Sequence, residues 1–527
     1  MSYRVLVSDP LADEGLEILR EFCTVDVRTD LDEDELVQAI GDYDALLVRS
    51  GTEVTLRVID AGAKLKFIGR AGAGVDNIDM DAATRRGIIV ANAPEGNTLA
   101  ATEHTMAMML SLARNIPQAS ASLKTGEWKR SKFMGVELND KTLGIVGFGR
   151  IGQEVAKRAR ALEMKCVAYD PFISKERAAQ LGVELLPLDE LFRVADVITV
   201  HTPLIKETRH VVNATSIATM KDGVRIINCA RGGIIDEKAL AEGVASGKIA
   251  GAALDVFESE PPTDSPLLGL DRVIVTPHLG ASTVEAQKNV AISVARQCIS
   301  VLEGGAAKYV VNAPMVPPEQ AETIEPYARL AQKMGRLLIQ LVEGPLESVE
   351  ITYGGEIARM PNTKYITRTA LKGLLDPILQ MPVNIVNAEF VTKERGIRMS
   401  ETTTEEAQGF KNIITITVKT DRMTESVSGN LSGQNKPRIV NIGGYMTDLT
   451  PTGHVVISRH TDRPGVIGQV ATILGRVNVN IAGMQVGRNK PGEEALMVLT
   501  VDSAVPAEAM TEICDVAGIH TAKHAEI

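Results

Sequence analysis

The segment LGIVGFGRIG, residues 143–152, limits the possible folds of this chain more than any other feature. It reads as an apolar strand, a glycine-rich turn and the start of a helix, the arrangement that holds a pyrophosphate in dinucleotide-binding folds. Such a segment usually opens its domain, but here more than a hundred residues precede it. The order predicts a cofactor-binding lobe inserted into another lobe.

Length and charge limit the classes of protein that remain. A chain of 527 residues is long enough for three or four domains, because single hydrophobic cores stop growing at roughly 250–300 residues. The formal charge of -11 arises from 56 basic and 67 acidic residues without a basic block. This balance argues against nucleic acid or an anionic membrane as the main partner, so attraction of an anionic ligand has to be local.

The cysteines and the apolar runs indicate the compartment. Five cysteines are scattered without CxxC or Cys/His metal spacing, which predicts neither a disulfide framework nor a metal site. The start MSYRVLVSDP lacks the apolar core of a signal peptide, and no run reaches the 18 apolar residues of a membrane span. We therefore expect a soluble, cytoplasmic protein.

The order of predicted elements divides the chain into four domains. Short apolar strands alternate with helices in a first parallel α/β lobe, and a second such series follows the glycine-rich turn. After the Pro-rich segment NAPMVPPEQ the pattern changes to mixed helices and strands without a catalytic cluster, and the C-terminal segment has the ferredoxin-like order βαββαβ. The predicted boundaries are 1–97 with 287–314 for the substrate-binding domain, 98–286 for the NAD-binding Rossmann domain, 315–452 for an intervening domain and 453–527 for the last domain.

The glycine-rich turn predicts how a cofactor is held. Gly147 permits the tight turn, Gly149 lets the backbone approach a pyrophosphate, and Gly152 lets the helix approach the strand. Asp170 ends the next strand, where its carboxylate can accept hydrogen bonds from a ribose 2′-hydroxyl and repels a 2′-phosphate. The pattern therefore favours NAD over NADP, although three glycines alone are weak evidence.

Candidate catalytic groups follow later strands of the same lobe. Arg231 in NCARGGIID offers a planar fork that suits a 2-oxo or 2-hydroxy acid. LDVFESEPP offers the carboxylates of Asp255, Glu258 and Glu260, and TPHLGAST offers His278. A histidine can move the hydroxyl proton near neutral pH during hydride transfer, and a carboxylate beside it holds the ring.

Together, GFGRIG, NCARGGIIDE, LDVFESEPP and TPHLGAST resemble the D-isomer-specific 2-hydroxyacid dehydrogenase family over roughly residues 1–314. The resemblance implies a flavodoxin-like substrate domain split by the Rossmann domain, with Arg231, Glu260 and His278 as catalytic residues. The resemblance also implies NAD contacts at the three glycines of the turn and at Asp170. The further NAD contacts it implies are Arg150, Ile151, Thr202, Cys229, Ala230, Asp255, Gly280 and Ala281.

Within the family the chain resembles long-form members that oxidise 3-phosphoglycerate to 3-phosphohydroxypyruvate, the first step of L-serine synthesis. The resemblance implies an intervening domain of regulatory or anion-binding character and a terminal ACT domain. It also implies that Trp128 and Lys129 lie at the contact of a homodimer or homotetramer and complete the neighbouring active site. The other implied substrate contacts are Arg49, Ser50, Gly72, Ala73, Gly74 and Asn97.

The terminal domain suggests feedback by an amino acid, with L-serine as the expected effector. HTDRPGV places His460 and Asp462 before a helix, and VNVNI places Asn480 at the start of a strand. Asp462 could hold the ammonium group while exposed N–H groups hold the carboxylate. Alternatively, this small domain only pairs subunits, or it binds another amino acid.

Two other functions are compatible with the motifs. A different dehydrogenase of the family would act on glyoxylate, hydroxypyruvate or formate and would need no phosphate contacts. A non-catalytic NAD-sensing module could use the same fold, because fold alone does not establish function. The intact set of Arg231, Glu260 and His278 argues against the second possibility.

Overall fold

The computed structural model describes residues 3–314, 316, 318–433 and 435–527, so the predicted boundary at residue 315 lies outside the described residues. The strands are β1 (Tyr3–Val7), β2 (Cys23–Val27), β3 (Ala45–Val48), β4 (Phe67–Arg70), β5 (Ile89–Asn92), β6 (Thr142–Val146), β7 (Lys165–Tyr169), β8 (Glu184–Leu185), β9 (Val197–Val200), β10 (Val224–Asn228), β11 (Ile249–Leu254), β12 (Val273–Val275), β13 (Leu346–Gly355), β14 (Arg398–Thr404), β15 (Asn412–Thr420), β16 (Thr424–Ser432), β17 (Lys436–Ile442), β18 (Tyr445–Leu449), β19 (His454–Thr461), β20 (Ile481–Arg488), β21 (Glu494–Val501) and β22 (Ile519–Glu526). The α-helices are α1 (Asp13–Arg20), α2 (Glu33–Ala39), α3 (Leu56–Ala61), α4 (Met80–Arg85), α5 (Thr98–Arg114), α6 (Ile116–Lys124), α7 (Arg150–Ala161), α8 (Lys175–Gln180), α9 (Leu188–Val194), α10 (Ala214–Thr219), α11 (Glu237–Ala245), α12 (Val284–Leu302), α13 (Pro318–Leu341), α14 (Thr363–Leu375), α15 (Ala388–Glu394), α16 (Val466–Arg476) and α17 (Ala507–Cys514).

The N-terminal lobe is built on a five-stranded parallel sheet. Its strand order is β2-β1-β3-β4-β5, which is the flavodoxin-like order. The central strand β3, ALLV, is buried along its whole length, as expected for a parallel sheet with helices on both faces. The predicted α/β class of this lobe is confirmed.

The second lobe contains a seven-stranded parallel sheet in the order β12-β11-β10-β9-β6-β7-β8. Numbered within the lobe this is 3-2-1-4-5-6 with a seventh strand at one edge, the Rossmann arrangement that the glycine-rich turn predicted. The turn lies between β6, the first strand of the lobe, and α7, so dinucleotide binding is expected where the strand order reverses.

Two long helices cross between the lobes. Helix α5 leaves the first lobe after β5, contacts α7 and β11 of the second lobe, and stops at Asn115, whose φ of 50° is left-handed. Helix α12 returns to the first lobe and lies on α1 and β4, with Thr283 capping its first turn. The segment after it hydrogen-bonds to β5 through Tyr309 and Val311. The cofactor lobe is thus an insertion into the first lobe, which explains the late position of the glycine-rich turn.

The third sheet has six strands in the order β14-β13-β15-β16-β17-β18, with all neighbours antiparallel except β13 and β14. Helices α13 and α14 are in close contact, and α13 covers one face of the sheet. Apolar side chains of the terminal domain, including Val455, Ile457 and Leu496, belong to the same buried cluster. One face of the terminal sheet therefore packs into the hydrophobic core of the third domain, while its other face has a separate core.

The fourth sheet is antiparallel in the order β20-β21-β19-β22, with α16 and α17 on one face. This is the ferredoxin-like arrangement predicted from the sequence. Among the described helices, none is long and apolar enough to cross a membrane.

Candidate active site

Side chains from both lobes meet in one cleft of about 600 Å³. The lining segments follow β3 and β4 of the first sheet and β10, β11 and β12 of the second, so they lie at the carboxyl edges of both sheets, where parallel α/β folds bind ligands. The predicted residues that line this cleft are Arg49, Ser50, Gly72, Ala73, Gly74, Asn97, Arg231, Glu260, His278 and Ala281.

The predicted acid–base pair is present in the cleft. His278 Nδ1 lies 2.8 Å from Glu260 Oε2, and both side chains are partly exposed to the cleft. Burial alone would raise the pKa of Glu260, but the hydrogen bond and charge of His278 and the backbone N–H of Phe257 outweigh it and hold the pKa below its ordinary value. The carboxylate thus orients the ring through Nδ1 and leaves Nε2 as the nitrogen free to exchange a proton.

The structure also distinguishes the two glutamates of the FESEPP segment. Glu258 Oε1 lies 3.1 Å from His210 Nε2 and accepts a hydrogen bond from the backbone N–H of Glu237. Glu260 is the residue that contacts His278. The geometry therefore agrees with the assignment of Glu260 rather than Glu258 to the catalytic pair.

Three arginines surround the other side of the cleft. Arg231 follows β10 and donates through Nε to Asp76 Oδ2 at 3.0 Å and through Nη1 to the carbonyl of Ala230 at 2.8 Å. Arg49 follows β3, and Arg70 ends β4. Burial, together with the charges of Arg231 and Arg49, lowers the pKa of Arg70 to about 10, so the guanidinium still carries its charge near neutral pH.

The sequence analysis missed Arg70, although it stands two residues before Gly72, which was predicted as a substrate contact. Its Nε and the Oδ1 of Asn97 are buried and have no hydrogen-bond partner in the described part of the chain. A side chain at Gly72 would overlap the Arg70 guanidinium, and one at Gly74 would overlap that of Arg231. The two glycines thus make room for two arginines. The sequence signal that could have identified Arg70 is its position as a cation at the carboxyl end of β4.

The glycine-rich turn fits a dinucleotide. Gly147 has a φ of 92°, and a Cβ there would lie 2.7 Å from the carbonyl oxygen of His201. Gly149 caps α7 and has open space where a side chain would stand, which leaves room for a pyrophosphate at the helix N-terminus. Arg150, Ile151 and Gly152 form the first turn of that helix.

The carboxylate of Asp170 lies directly after β7 and also closes the glycine-rich turn. It accepts hydrogen bonds from the backbone N–H groups of Phe148 and Phe172, both at 2.8 Å. Each carboxylate oxygen retains acceptor capacity for a ribose hydroxyl. Thr202, after β9, has a buried hydroxyl without a hydrogen-bond partner among the described residues, which is consistent with a ligand contact.

The remaining predicted cofactor residues lie at the ends of neighbouring strands. Cys229 and Ala230 follow β10, and burial raises the pKa of the Cys229 thiol to about 12, so the sulfur is neutral. Asp255 follows β11 and is fully buried, while Gly280 donates its N–H to Asp255 Oδ2 at 2.7 Å. Asp255 therefore holds the strand ends together, and its direct contact with a cofactor stays a prediction.

Trp128 and Lys129 lie outside the cleft formed by their own chain. The Trp128 side chain is 74% exposed, and Lys129 Nζ lies 2.7 Å from Glu127 Oε1. They stand on the segment that follows α6. The predicted contribution of Trp128 and Lys129 to a neighbouring active site stays a prediction.

The three predicted effector residues are not adjacent within one chain. His460 lies in β19 and is buried, and Asp462 follows it and accepts a hydrogen bond from Arg488 at 2.9 Å. Asn480 lies before β20 and donates to Asp502 at 2.7 Å. Since Arg488 ends the eight-residue strand that Asn480 precedes, Asn480 stands at the opposite end of the sheet, on the order of 20 Å away.

Sequence profiles and relatives agree with this architecture. The profile described as D-isomer specific 2-hydroxyacid dehydrogenase, NAD binding domain, matches residues 106–280. The profile of the D-3-phosphoglycerate dehydrogenase intervening domain matches residues 323–443, and that of the ACT domain matches residues 454–518. All three agree with the expectations from the motifs.

Curated relatives extend over nearly the whole chain. A D-3-phosphoglycerate dehydrogenase of Methanocaldococcus jannaschii is 50% identical over 517 residues, which cover 98% of this chain and 98% of the relative. The Bacillus subtilis enzyme of the same name is 47% identical over 524 residues, covering 99% of each chain. The crystal structure of a D-lactate dehydrogenase from Aquifex aeolicus, complexed with NAD and lactic acid, is similar with a TM-score of 0.54 and 30% identity, covering 59% of this chain and 100% of that one. With its two interlocked α/β lobes, its intervening domain and its ACT domain, the chain belongs to the D-3-phosphoglycerate dehydrogenase family.

Proposed function

We propose that this protein oxidises D-3-phosphoglycerate to 3-phosphohydroxypyruvate with NAD⁺, the first step in making L-serine from a phosphorylated precursor. The observation that carries the proposal is the cleft in which the Glu260–His278 pair faces Arg49, Arg70 and Arg231. A substrate with a carboxylate and a phosphate needs several cations, whereas a small unphosphorylated acid needs fewer. The chain as a whole is acidic, so these arginines provide the attraction locally.

The positions of the arginines suggest how the substrate is oriented. Arg231 lies in the cofactor lobe and holds the carboxylate and the oxygen on C2 through its fork. Arg49 and Arg70 lie in the other lobe and meet the phosphate together with the polar groups of Ser50 and Asn97. A substrate held in this way bridges the two lobes, with C2 beside His278.

The chemistry at C2 divides between the protein and the cofactor. His278 removes the hydroxyl proton of the substrate through Nε2 while the C2–H bond breaks, and Glu260 stabilises the protonated ring that results. NAD⁺, when bound along the glycine-rich turn, supplies the acceptor for the hydride. The products are 3-phosphohydroxypyruvate, NADH and one proton, which His278 then passes to solvent.

Steady-state assays test the substrate assignment. The rate of NADH formation with D-3-phosphoglycerate is measured, and NADH consumption is followed with glyoxylate and hydroxypyruvate as the competing substrates. We expect kcat/KM for D-3-phosphoglycerate to exceed the values for glyoxylate and hydroxypyruvate. Arg70→Ala should reduce this preference for the phosphorylated substrate. A higher kcat/KM for glyoxylate or hydroxypyruvate in the wild type would favour the alternative, a reductase of the same family.

We further propose that L-serine regulates the enzyme through the ACT domain. His460, Asp462 and Asn480 can share one ligand only if Asn480 comes from a second copy, because it stands at the far end of the sheet in its own chain. Equilibrium dialysis with L-serine should show binding to the wild type and much weaker binding to Asp462→Ala. Equal binding to both proteins would rule out a role of Asp462 in the site.

The proposed assembly is a homodimer or homotetramer. An apolar pocket of about 400 Å³ lies beside the catalytic pair and is lined by Pro261, Leu268, Val275 and His278 among others. Its apolar lining suits the exposed Trp128 of a second copy, and Lys129 would then stand near the substrate phosphate. We also propose that the chain works in the cytoplasm and that the domain boundaries predicted from the sequence mark its functional units.

A further inference from the structure

His278 lies in a short strand-end segment whose backbone is strained. Its φ is 54°, a left-handed conformation that favours glycine and that persists in other residues only when the surroundings impose it. Asp255 supplies that constraint on both sides. Its carbonyl oxygen accepts from the N–H of His278 at 2.9 Å, and its carboxylate accepts from those of Leu279 and Gly280, both at 2.7 Å.

The same carboxylate is approached from behind by His104 of helix α5. His104 Nε2 lies 3.2 Å from Asp255 Oδ1 and 3.1 Å from Thr276 Oγ1, and Thr276 donates to Asp255 Oδ1 at 2.6 Å. His104 stands behind the strand ends and not among the cleft-lining residues. It is therefore placed to act on the catalytic histidine only through its neighbours.

The buried charge of Asp255 depends on these donors. The side chain is 0% exposed, and an ionised carboxylate in such a place is costly unless hydrogen bonds compensate it. Burial would raise the pKa of Asp255, but the hydrogen bonds from His104, Thr276 and the backbone of Leu279 outweigh it and keep the pKa below its ordinary value. Thr276 and the backbone donors belong to the same segment as His278, whereas His104 belongs to a helix.

We infer that His104 is a positioning residue for proton transfer: its Nε2–H donates to Asp255 and thereby fixes the segment from Thr276 to Gly280 that presents His278 to the substrate. The inference rests on the proposed function for the identity of the reaction but concerns the geometry of His278. Helix α5 is a firm support because its 17 residues include nine buried ones. The contact between His104 and Asp255 thus holds the segment from Thr276 to Gly280 against a well-packed helix.

Two amide substitutions of His104 separate positioning from mere structural support. The amide of Gln reaches about as far as an imidazole Nε2, while the amide of Asn is one methylene shorter and stops short of Asp255. We expect His104→Asn to lower kcat about 10- to 100-fold, the usual effect of losing a supporting hydrogen bond, and to change the pH dependence of kcat. His104→Gln should restore most of kcat and the wild-type pH profile.

A control variant, the affinity for NADH and a substitute variant complete the test of His104. Glu103→Gln alters the exposed neighbour of His104 on the same helix and should leave kcat unchanged. The Kd for NADH, measured by fluorescence titration, should stay within about threefold of wild type in both His104 variants. Should His104→Asn fail to fold, Thr276→Val takes its place, since it removes the second side-chain donor to Asp255 and should also lower kcat.

Several results would overturn the inference. These are a kcat within twofold of wild type in His104→Asn, equal losses in the Asn and Gln variants, or a loss confined to NADH affinity. If the wild type does not oxidise D-3-phosphoglycerate, the proposed function fails. The same variants are then compared in the reduction of whichever 2-oxo acid the wild type turns over, so the two failures remain distinguishable.

Discussion

At the level of single residues, the same pair of side chains occurs twice in the cofactor lobe. Glu260 contacts His278 at 2.8 Å, and Glu258 contacts His210 at 3.1 Å. Sequence spacing offered both glutamates, and only the resemblance to a family favoured one of them. Only the histidines separate the two pairs: both glutamates line the arginine-lined cleft, but His278 lines it as well, whereas His210 borders another pocket.

These two pairs provide a matched test of acid–base catalysis. His278→Asn should lower kcat by about 100-fold or more, the usual scale of general acid–base catalysis, and should leave NADH binding largely intact. His210→Asn removes a similar Glu–His contact whose histidine does not line the cleft, and it should leave kcat within about twofold of wild type. Steady-state kinetics on both variants decide this, and unchanged turnover in His278→Asn would remove that residue from the mechanism.

A second histidine should control stability at low pH. His201 lies beneath the glycine-rich turn, where burial lowers its pKa to about 4, and its Nε2 lies 3.0 Å from Thr199 Oγ1. Because the unfolded state has the higher pKa, near 6.5, it binds more protons below that pH. The contribution of His201 to the stability of the cofactor lobe is thus fully present above about pH 6.5, and about 2–3 kcal/mol of it is lost as the pH falls to about 4.

Scanning calorimetry tests this pH dependence. The transition of the cofactor lobe is recognised as the one that NADH raises. Between pH 7 and pH 5 its midpoint should fall about 5 °C more in the wild type than in His201→Gln. An equal fall in both proteins would contradict the assignment to His201.

At the level of elements, buried apolar strands were readable from the sequence, whereas edge strands and polar strands were not. The strands ending at Val48, Asn92 and Val200 are short apolar runs followed by polar or glycine residues, and each is present. The peripheral β2 and β8 were missed, as were β14, β16, β17 and β18 of the third sheet. Strand β14, RMSETTT, is largely exposed and polar, so it carries no apolar periodicity, and its pairing with β13 is what makes it a strand.

The end of strand β7 offers a test of cofactor choice. Asp170→Ala removes the acceptor for a ribose hydroxyl and the repulsion of a 2′-phosphate, so kcat/KM for NAD⁺ should fall about 10- to 100-fold. The kcat/KM for NADP⁺ should fall less, because removing the repulsion of the 2′-phosphate offsets the loss of the hydrogen bond from the N–H of Phe148 to Asp170. The ratio of the two kcat/KM values is the measurement.

Asp170→Asn is the matched control, since it keeps an acceptor for Phe148 and removes only the charge. It should therefore change the ratio while preserving more of the activity with NAD⁺. A wild-type enzyme that prefers NADP⁺ would contradict this interpretation of Asp170 directly.

At the level of the whole molecule, residues far apart in sequence are brought to one cleft by the insertion of one lobe into another. Arg49 and Arg70 come from the first sheet, while Arg231, Glu260 and His278 come from the second. Helices α5 and α12 join the two sheets, so motion of one lobe relative to the other changes the distance from Arg49 and Arg70 to the Glu260–His278 pair. In the proposed assembly, the exposed Trp128 of a second copy would complete the cleft.

Subunit complementation tests whether Lys129 acts on the neighbouring subunit. Homodimers of the Lys129→Ala variant and of the His278→Asn variant should each have low activity. A reassembled heterodimer, however, should contain one site with a wild-type Lys129 and a wild-type His278. Activity should then recover toward half of the wild-type value. Substrate should also change the fluorescence of Trp128, the only tryptophan. Heterodimers that form without regaining activity would assign Lys129 to its own subunit or to no site.

The sequence by itself determined the class of fold and the cofactor turn, and it predicted candidate catalytic groups. Those features depend on local patterns, namely apolar strands, glycines at fixed offsets and polar residues directly after strands. Tertiary structure decided that Arg70 enters the cleft, that Asn480 stands apart from Asp462, and that His104 reaches Asp255. It also separated Glu260 from Glu258, between which sequence spacing alone could not choose. Each of these depends on which strand ends and helices become neighbours, and that follows from the burial of whole sheets against each other, a property that no short stretch of sequence contains.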